Sequence, residues 1–260
     1  MKRMMSIGLV VLTSSACAQV SDVSPKPSAP APASVPPPSP QELSAMRATL
    51  ADWPNLARYR DANAMLEPPR PGERRVVFLG DSLTEGWGRG KGGFFAGRPY
   101  INRGISGQTT PQMVLRFQQD VIALNPAVVV ILGGTNDFAG NTGPETFGAI
   151  QDNFRSMVAL AKQAHIRIVL SSVLPVSYFP WRPGLHPAED VRALNRWLQQ
   201  LARREHLIYV DYYSALVNDE GGMRPELATD KAVHPNEAGY ALMEPLAEAA
   251  IAKALTFRLP

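Results

Sequence analysis

Three short polar segments of the sequence each follow a run of apolar residues, and a fourth precedes the last helical pattern. They are Asp81–Ser82, Arg103–Gly107, Gly133–Asp137 and Asp230–Asn236. Together they contain a serine, an asparagine amide, a histidine and several carboxylates, which are the groups used in nucleophilic and acid–base catalysis. If the fold brings these segments together, they predict a site for nucleophilic catalysis.

Ser82 follows the apolar run Val76–Leu79, whose two valines favour a strand buried on both faces. The run stops at Gly80, where the chain must turn. A serine at the carboxyl end of a buried strand, before a short turn into a helix, is where an α/β protein presents a nucleophile. The alternative is that Asp81 and Ser82 only cap the next helix.

Five apolar runs are predicted strands, and they alternate with segments whose apolar residues recur at helical spacing. The strands are Val76–Leu79, Tyr100–Arg103, Ala127–Leu132, Ile166–Val173 and Leu207–Val210, and the helical patterns cover 147–161, 191–201 and 242–246. This alternation predicts a parallel sheet covered on both faces, a three-layer α/β/α fold in one domain. Ligands of such sheets bind beyond the carboxyl ends of the strands, where the polar segments lie.

The composition of the 260-residue chain excludes several kinds of site and partner. Its only cysteine is Cys17, which excludes a cysteine nucleophile, an internal disulfide and a cysteine-ligated zinc site in the mature domain. No apolar run reaches the roughly 18 residues of a membrane span. Removal of Lys2 and Arg3 leaves 24 basic against 23 acidic residues, so no nucleic-acid partner is predicted. No ligand cluster predicts a metal, no Gly-Lys-Ser/Thr phosphate loop is present, and no cofactor is expected.

Residues 1–18 are predicted to be a signal peptide, which implies a periplasmic or secreted protein. Lys2 and Arg3 precede the apolar stretch Ile7–Leu12, and Ala16–Ala18 has the small residues of a cleavage site. The alternative is a lipoprotein that is anchored to a membrane through Cys17.

Residues 19–40 are rich in Pro, Ser and Ala and are predicted to form an extended, solvated linker. Ser39, a proline at the first helical position and Glu42 form a helix start signal. A second helix is predicted over Leu56–Leu66. The catalytic domain is therefore assigned to 41–260, with N-terminal helices over 41–67.

The polar segments resemble the sequence blocks of the SGNH, or GDSL, hydrolase family, which is named for a Ser, a Gly, an Asn and a His. The matching stretches are Gly80–Trp87 (Gly-Asp-Ser-Leu-Thr-Glu-Gly-Trp), Gly133–Asp137 (Gly-Gly-Thr-Asn-Asp) and the His-Pro-Asn-x-x-Gly-Tyr of His234–Tyr240, with Arg103–Gly107 between the first two. Four blocks in this order are specific, and the resemblance covers about residues 75 to 250. It implies a flavodoxin-like sandwich with a five-stranded parallel sheet.

The resemblance also implies catalytic roles. Ser82 would be the nucleophile and His234 the general base. The oxyanion hole would consist of the backbone N–H groups of Ser82 and Gly104 and the side-chain amide of Asn136. Taken singly, the glycine could be a turn residue and the asparagine a helix cap.

The other three histidines are weaker candidates for the base. His165 and His206 each precede a predicted strand, which places them at the opposite edge of the sheet from Ser82. His186 lies in a loop on the same side as Ser82, so it is the competitor of His234; its alternative role is that of an exposed loop residue.

The acid of a catalytic triad is the point where the sequence departs from the family. In the family an Asp usually stands three residues before the histidine, but here that residue is Lys231. Asp230, four residues before, is predicted to reach the imidazole and orient it, with a Ser–His dyad as the alternative. Asp81 and Asp137 are predicted to accept backbone N–H bonds and fix the turns beside the site.

Two aromatic stretches could line the substrate. Tyr178, Phe179 and Trp181 follow the fourth strand and could wall an acyl or sugar site, or could pack only against one another. The stretch Gly86–Phe95, with Trp87 and Phe94, is a second candidate wall.

These observations predict an exported, metal-independent serine hydrolase that cleaves short acyl esters, acetyl esters above all, in small molecules or carbohydrates. The alternatives are a lysophospholipase or thioesterase acting on longer chains, an O-acyltransferase on cell-wall sugars, and a binding module without catalysis.

Overall fold

A computed structural model describes residues 37–90 and 93–256 of the chain. The predicted signal peptide and all but the last few residues of the linker lie outside the described residues. The strands are β1 (Val76–Gly80), β2 (Tyr100–Gly104), β3 (Val128–Leu132), β4 (Arg167–Ser171) and β5 (Ile208–Val210). The α-helices in this part of the chain are α1 (Pro40–Ala51), α2 (Arg60–Ala64), α3 (Ser82–Glu85), α4 (Thr110–Asp120), α5 (Thr135–Phe138), α6 (Phe147–Gln163), α7 (Ala188–Arg204), α8 (Tyr213–Leu216) and α9 (Glu237–Thr256).

The five strands form one parallel sheet in the order β2-β1-β3-β4-β5. This is the flavodoxin-like order that the family resemblance implied. The strand order reverses between β1 and β3, so their carboxyl ends flank the crevice in which such sheets bind ligands. Every residue of both strands is buried, as their continuous apolar runs predicted.

The helices that connect the strands cover the sheet and complete the three layers. Right-handed crossovers place α4, α6 and α7 on one face, while α9 packs against β3, β4 and β5. The apolar stripes that were predicted over 147–161 and 191–201 face the core, since Ile150, Phe154, Leu194 and Leu198 are buried. The fold is therefore the predicted α/β/α sandwich.

The register of the sheet places the loops of the site at one level. Gly80 at the end of β1 is paired with Gly104 of β2 on one side and with Leu132 of β3 on the other. The next residues in each chain segment, Asp81, Ile105 and Gly133, therefore leave the sheet side by side.

The N-terminal segment, which we define as residues 40–66, begins with the predicted capping box. The Ser39 hydroxyl accepts from the Glu42 N–H, and the Glu42 carboxylate accepts from the Ser39 N–H. The helix predicted over Leu56–Leu66 is shorter in the structure, where α2 covers only Arg60–Ala64.

Three glutamine side chains bind this N-terminal segment to the domain, and Leu66 at its end packs against the hydrophobic core. Gln108, Gln112 and Gln119 donate through Nε2 to the carbonyls of Pro54, Trp53 and Leu56 at 2.7, 2.6 and 2.7 Å. The Tyr59 hydroxyl also donates to the Gly104 carbonyl. The segment is thus anchored at the end of β2 and along α4, and none of the residues of α1 is buried.

No helix within residues 37–90 and 93–256 is long and apolar enough to cross a membrane.

Candidate active site

Ser82 is the first residue of α3, directly after β1 and its Asp81 cap. The Asp81 carboxylate accepts from the Leu83 N–H at 2.9 Å and fixes the turn. Gly80 permits this turn because a Cβ there would lie 2.7 Å from the Leu132 carbonyl oxygen. Ser82 therefore has both features that the sequence analysis gave as alternatives, since it follows a buried strand and it lies at the start of a helix.

His234 is the histidine that contacts the serine. Its Nε2 lies 3.0 Å from Ser82 Oγ, and its Nδ1 lies 2.7 Å from Asp230 Oδ2. Because the carboxylate accepts from Nδ1, the neutral ring carries its proton there and Nε2 can accept the serine proton. The predicted competitor, His186, is exposed in its loop.

Asp230 organises the loop that precedes His234. Its second oxygen, Oδ1, accepts from the backbone N–H groups of Ala232, Val233 and His234 at 3.0, 2.8 and 3.1 Å. The additional residue relative to the family spacing, Lys231, has a left-handed backbone with φ of 59°. Burial opposes the charge of Asp230, but these hydrogen bonds prevail and lower its pKa to about 2.

Two other carboxylates beside the site have the opposite electrostatic character. Burial raises the pKa of Asp81 to about 7, against the lowering effect of the Leu83 N–H. Burial also raises the pKa of Asp137 to about 6. Asp137 accepts from the backbone N–H of Thr110 at 3.0 Å, so it fixes the start of α4 rather than its own turn. Both carboxylates accept a backbone N–H as predicted, but only Asp81 fixes its own turn.

Gly104 is not an oxyanion donor in this structure, and the prediction that it would be one is corrected. Its N–H donates to Asn102 Oδ1 at 2.9 Å and is therefore already used. A Cβ at Gly104 would lie 2.1 Å from the Glu85 backbone nitrogen, so a glycine is required there by packing between β2 and α3.

Gly107 is the glycine of the same segment that meets the requirements for this role. It is exposed, has φ of 78°, and its N–H has no acceptor within the described part of the chain, which also holds for the Ser82 N–H. Asn141 Nδ2 donates both to the Gly107 carbonyl at 3.3 Å and to Asn136 Oδ1 at 2.8 Å. One amide therefore holds Gly107 and Asn136 close to each other.

Asn136 lies beneath the site and is almost fully buried. Its Nδ2 donates to the Gln108 carbonyl at 3.0 Å and, over 3.3 Å, to Asp81 Oδ2. The longer bond to Asp81 is the one that an oxyanion could replace, since catalytic hydrogen bonds often tighten only when substrate binds.

A buried arginine connects these loops, and the sequence analysis did not identify it. The Arg116 guanidinium donates to the carbonyls of Gly80 and Arg103, both at 2.8 Å, and to the side chain of Gln108. It also forms an ion pair with Asp120 at 3.2 Å, with both side chains fully buried. The guanidinium therefore binds carbonyls at the carboxyl ends of β1 and β2 and joins the two strand ends.

The loop after β2 is also held by a carboxylate. Glu85 accepts from the Ser106 N–H at 2.8 Å and from the Ser106 hydroxyl, and it pairs with Arg58 and Arg89 at 3.1 and 3.3 Å. Ser106 is thus fixed at the edge of the catalytic pocket.

Ser82 and His234 open into a pocket of about 510 Å³. Its walls are formed mainly by polar and small residues, namely Ser82, Gly86, Arg89, Gly90, Ser106, Thr229, His234, Pro235, Asn236, Glu237 and Tyr240. This volume lies within the range of about 300–1,000 Å³ that is usual for small-ligand sites.

The two predicted aromatic walls differ in the structure. Trp181 is 40% exposed, and its ring centroid lies 6.1 Å from that of His234, so it borders the site. Tyr178 is also exposed at 44%, whereas Phe179 is 1% exposed and packs beneath Trp181, so it does not line the site as predicted.

In the stretch Gly86–Phe95, the residues Gly86, Arg89 and Gly90 line the pocket, whereas the aromatic residues belong to the core. Trp87 and Phe95 are buried at 5% and 3%, and their rings pack around Phe78 of β1. The large apolar side chains of Trp87 and Phe95 therefore do not line the pocket.

Among residues 37–90 and 93–256, no three His, Asp or Glu side chains are arranged to hold a metal ion.

Comparison with known proteins assigns this architecture. The model of the GDSL-like Lipase/Acylhydrolase family matches residues 78–242. A protein from Bacteroides fragilis that is described as an acylhydrolase is 44% identical in sequence and superposes with a TM-score of 0.76. The match spans 78% of this chain and 99% of the Bacteroides fragilis chain. A GDSL-like lipase from Bacteroides thetaiotaomicron is 43% identical and superposes with a TM-score of 0.76, and the match spans 78% of this chain and 100% of the lipase.

An acetylxylan esterase from Geobacillus stearothermophilus shares the fold at 23% identity, with coverage of 75% of this chain and 98% of its own and a TM-score of 0.56. None of the functionally curated proteins matches the chain. Since the family model covers more than half of the chain, the protein belongs to the GDSL-like lipase/acylhydrolase family and is an ester-bond hydrolase.

Proposed function

We propose that the protein is exported and hydrolyses short acyl esters, acetyl esters above all, through an acyl-enzyme intermediate on Ser82. The observation that carries this proposal is the chain of hydrogen bonds from Ser82 through His234 to Asp230, at 3.0 and 2.7 Å, at the base of a polar pocket. Export is supported by the signal pattern of residues 1–18.

In the first half of the reaction, Ser82 Oγ attacks the ester carbonyl carbon and its proton moves to His234 Nε2. Asp230 remains ionised, as its pKa near 2 requires, and stabilises the imidazolium. The tetrahedral intermediate then expels the alcohol, which takes the proton from Nε2, and leaves the acyl group on Ser82.

In the second half, His234 Nε2 takes a proton from a water molecule that attacks the acyl carbon. The second tetrahedral intermediate releases the carboxylic acid as the proton returns to Ser82 Oγ. His234 thus acts first as a base and then as an acid in each half, so it has to remain within hydrogen-bond distance of the serine.

The negative charge on the carbonyl oxygen requires donors. We assign this role to the N–H groups of Ser82 and Gly107 and to the Asn136 amide. The two N–H groups have no acceptor among the described residues, and Asn136 can exchange its long bond to Asp81 for one to the oxyanion. Each such donor contributes roughly 3 kcal/mol to transition-state stabilisation.

The preference for short acyl groups is supported by the pocket lining. A long acyl chain needs a continuous apolar channel, but the aromatic residues Trp87 and Phe95 pack into the core instead of lining the pocket. Trp181, exposed beside His234, offers an indole face to the leaving group of the ester.

Hydrolysis of p-nitrophenyl esters from acetate to palmitate by the full chain and by Ser82→Ala tests the proposal. We expect the highest kcat/KM at acetate or butyrate and loss of activity in the variant. A maximum at long chains would indicate the lysophospholipase or thioesterase alternative. Equal rates in both proteins would remove Ser82 as the nucleophile.

A further inference from the structure

A second depression, which we call the N-terminal groove, lies against the loop Ile105–Gln108 and has a volume of about 350 Å³. It is lined by Ala48, Thr49, Asp52, Trp53, Asn55, Ile105, Ser106, Gly107, Gln108, Gln112 and Thr142. Ser106 lines both this groove and the catalytic pocket, so the two depressions are adjacent. The described surface therefore continues from Ser82 across the loop to α1.

The fixed parts of this groove are its floor and its two walls. Gln108 and Gln112 are buried and hold the carbonyls of Pro54 and Trp53, which fixes the N-terminal wall relative to the loop. On the other side the Thr142 hydroxyl is bonded to Thr109 at 2.7 Å. A preformed groove of this kind costs little ordering on binding.

The chemistry of the lining favours a neutral polyhydroxylated ligand. The Asn55 amide can both donate and accept, as sugar hydroxyls do. The hydroxyls of Thr49 and Ser106 donate to the Ala45 carbonyl and to Glu85, and their remaining lone pairs can accept from a sugar hydroxyl. The Asn55 side-chain amide has no hydrogen-bond partner among the described residues, and the Trp53 indole is half-buried at the wall. An indole offers a flat apolar face that suits the C–H face of a sugar ring.

The same lining disfavours two other kinds of ligand, a long acyl chain and an anionic group. An acyl chain would bury few apolar contacts there, since Ile105, Ala48 and Trp53 are the only apolar side chains in the lining. The only ionised side chain is Asp52, whose carboxylate accepts from the Leu56 and Ala57 N–H groups, so no cation is present to bind an anionic ligand.

We propose that the N-terminal groove binds sugar units of a neutral acylated oligosaccharide whose ester is held at Ser82. The proposal rests on the esterase function proposed above and extends it, since it names an oligosaccharide as substrate and places a subsite in the N-terminal segment. Trp53 and Asn55 are the residues that would distinguish a glycan from a small ester.

The test compares p-nitrophenyl acetate with O-acetylated xylo-, manno- and cello-oligosaccharides of increasing length, using the full chain. We expect kcat/KM to rise with length for at least one of the three series. Trp53→Ala is expected to lower the ratio of oligosaccharide to aryl-ester kcat/KM about ten-fold, the loss typical of one good binding contact.

Asn55→Gly is the second variant, and it keeps the proposal testable if Trp53→Ala does not fold. Asn55 has φ of 57°, which glycine adopts without strain, so the variant removes only the amide side chain. Trp197→Ala is the matched control, because this tryptophan lies on α7 beneath Arg155 and not in either depression. We expect a reduced ratio for Asn55→Gly and an unchanged ratio for the control.

Failure of this proposal is distinguishable from failure of the esterase function. If the aryl ester is cleaved in a Ser82-dependent manner but no series gains from length, or both variants keep the ratio, the groove proposal is wrong. If the aryl ester is not cleaved, calorimetric binding of the oligosaccharides to Ser82→Ala, with and without Trp53→Ala, still decides whether the groove binds glycans. Equal affinities, or none, would overturn it.

Discussion

The serine loop and the histidine loop position the two reacting side chains in opposite ways. The serine loop is a short turn between β1 and α3, and its carboxylate, Asp81, is fully buried with a pKa raised to about 7. The histidine loop is irregular and partly exposed, and its carboxylate, Asp230, has a pKa lowered to about 2. The same residue type thus serves one loop as a carboxyl group that is only partly ionised near neutral pH and the other as a fully ionised carboxylate.

The difference follows from the burial of each carboxylate and from the donors that it receives. Asp81 is fully buried, and the Leu83 N–H and the Asn136 amide do not compensate for the loss of hydration. Asp230 is partly exposed and accepts three backbone N–H groups and the imidazole, which more than compensate. An ionised carboxylate therefore holds the irregular histidine loop, whereas β1 supports the turn of the serine loop.

The largest effect is expected from Asp230→Asn. The amide retains an oxygen for the backbone N–H groups, but its NH₂ would face His234 Nδ1 and favour the wrong tautomer of the ring. We expect kcat on p-nitrophenyl acetate to fall about 10³–10⁴-fold with little change in fold. Far-UV circular dichroism of the variant provides the control. If kcat falls less than about ten-fold, Ser82 and His234 act as a dyad, and the charge of Asp230 is not needed for catalysis.

The second prediction concerns the pH dependence of the free energy of unfolding. Because the pKa of Asp81 is raised from 3.8 to about 7 in the folded protein, the folded state binds more protons between these pH values. Its contribution to stability is complete below the unfolded pKa and is lost as the pH rises through about 7, and Asp137 acts in the same sense up to about 6. Asp230 has the opposite sign: its contribution is present above pH 3.8 and is lost as the pH falls toward 2.

Asp81→Asn should therefore flatten the decline of stability between about pH 4 and pH 7, at a slope of up to about 1.4 kcal/mol per pH unit. Urea unfolding across this range measures the slope. Asp230→Asn is the matched control above about pH 5, where this carboxylate is ionised in both the folded and the unfolded chain, so its removal should leave the slope unchanged there. An equally steep decline in Asp81→Asn and wild type would show that the buried carboxyl does not govern it.

The smallest effect is expected from Lys231→Gly in the histidine loop. Lys231 has φ of 59°, a conformation that strains any residue with a Cβ. Glycine relieves this strain but loses more backbone entropy on folding, so we expect the free energy of unfolding to rise by about 0.5–1 kcal/mol. Lys231→Ala retains the strain and serves as the control in the same denaturation experiment. A similar gain in both variants would attribute the effect to the lysine charge instead.

The parts of the site that the sequence predicted are those determined by adjacent residues. The apolar runs Val76–Leu79 and Ala127–Leu132 predicted strands, and the residues that follow them lie at the expected edge. Helix α4 was not identified individually, because its buried face includes polar residues such as Gln112 and Arg116 that obscure the apolar pattern. Their role depends on carbonyls that are distant in sequence, those of Trp53 for Gln112 and of Gly80 for Arg116, which no local window contains.

The errors have the same origin. Gly104 and Gly107 lie three residues apart in one segment, and only the sheet register and the Asn102 side chain show which N–H is used. Likewise Phe95 and Trp181 both follow strands of the sheet, but Phe95 packs around Phe78 while Trp181 is exposed beside His234. Residue type indicated the chemistry of these positions, and tertiary contacts determined which of them line the site.

The attachment of the N-terminal segment to β2 has a consequence for self-association. β2 is an outer strand of the sheet, and the Tyr59 hydroxyl and the Asn63 amide occupy its Gly104 carbonyl and its Arg103 side chain. A chain that begins at residue 68 would keep the whole of β1 but lack this cover and expose the outer strand to pairing with other copies. Aggregation during refolding, rather than a defect in ester cleavage, would then be its first failure.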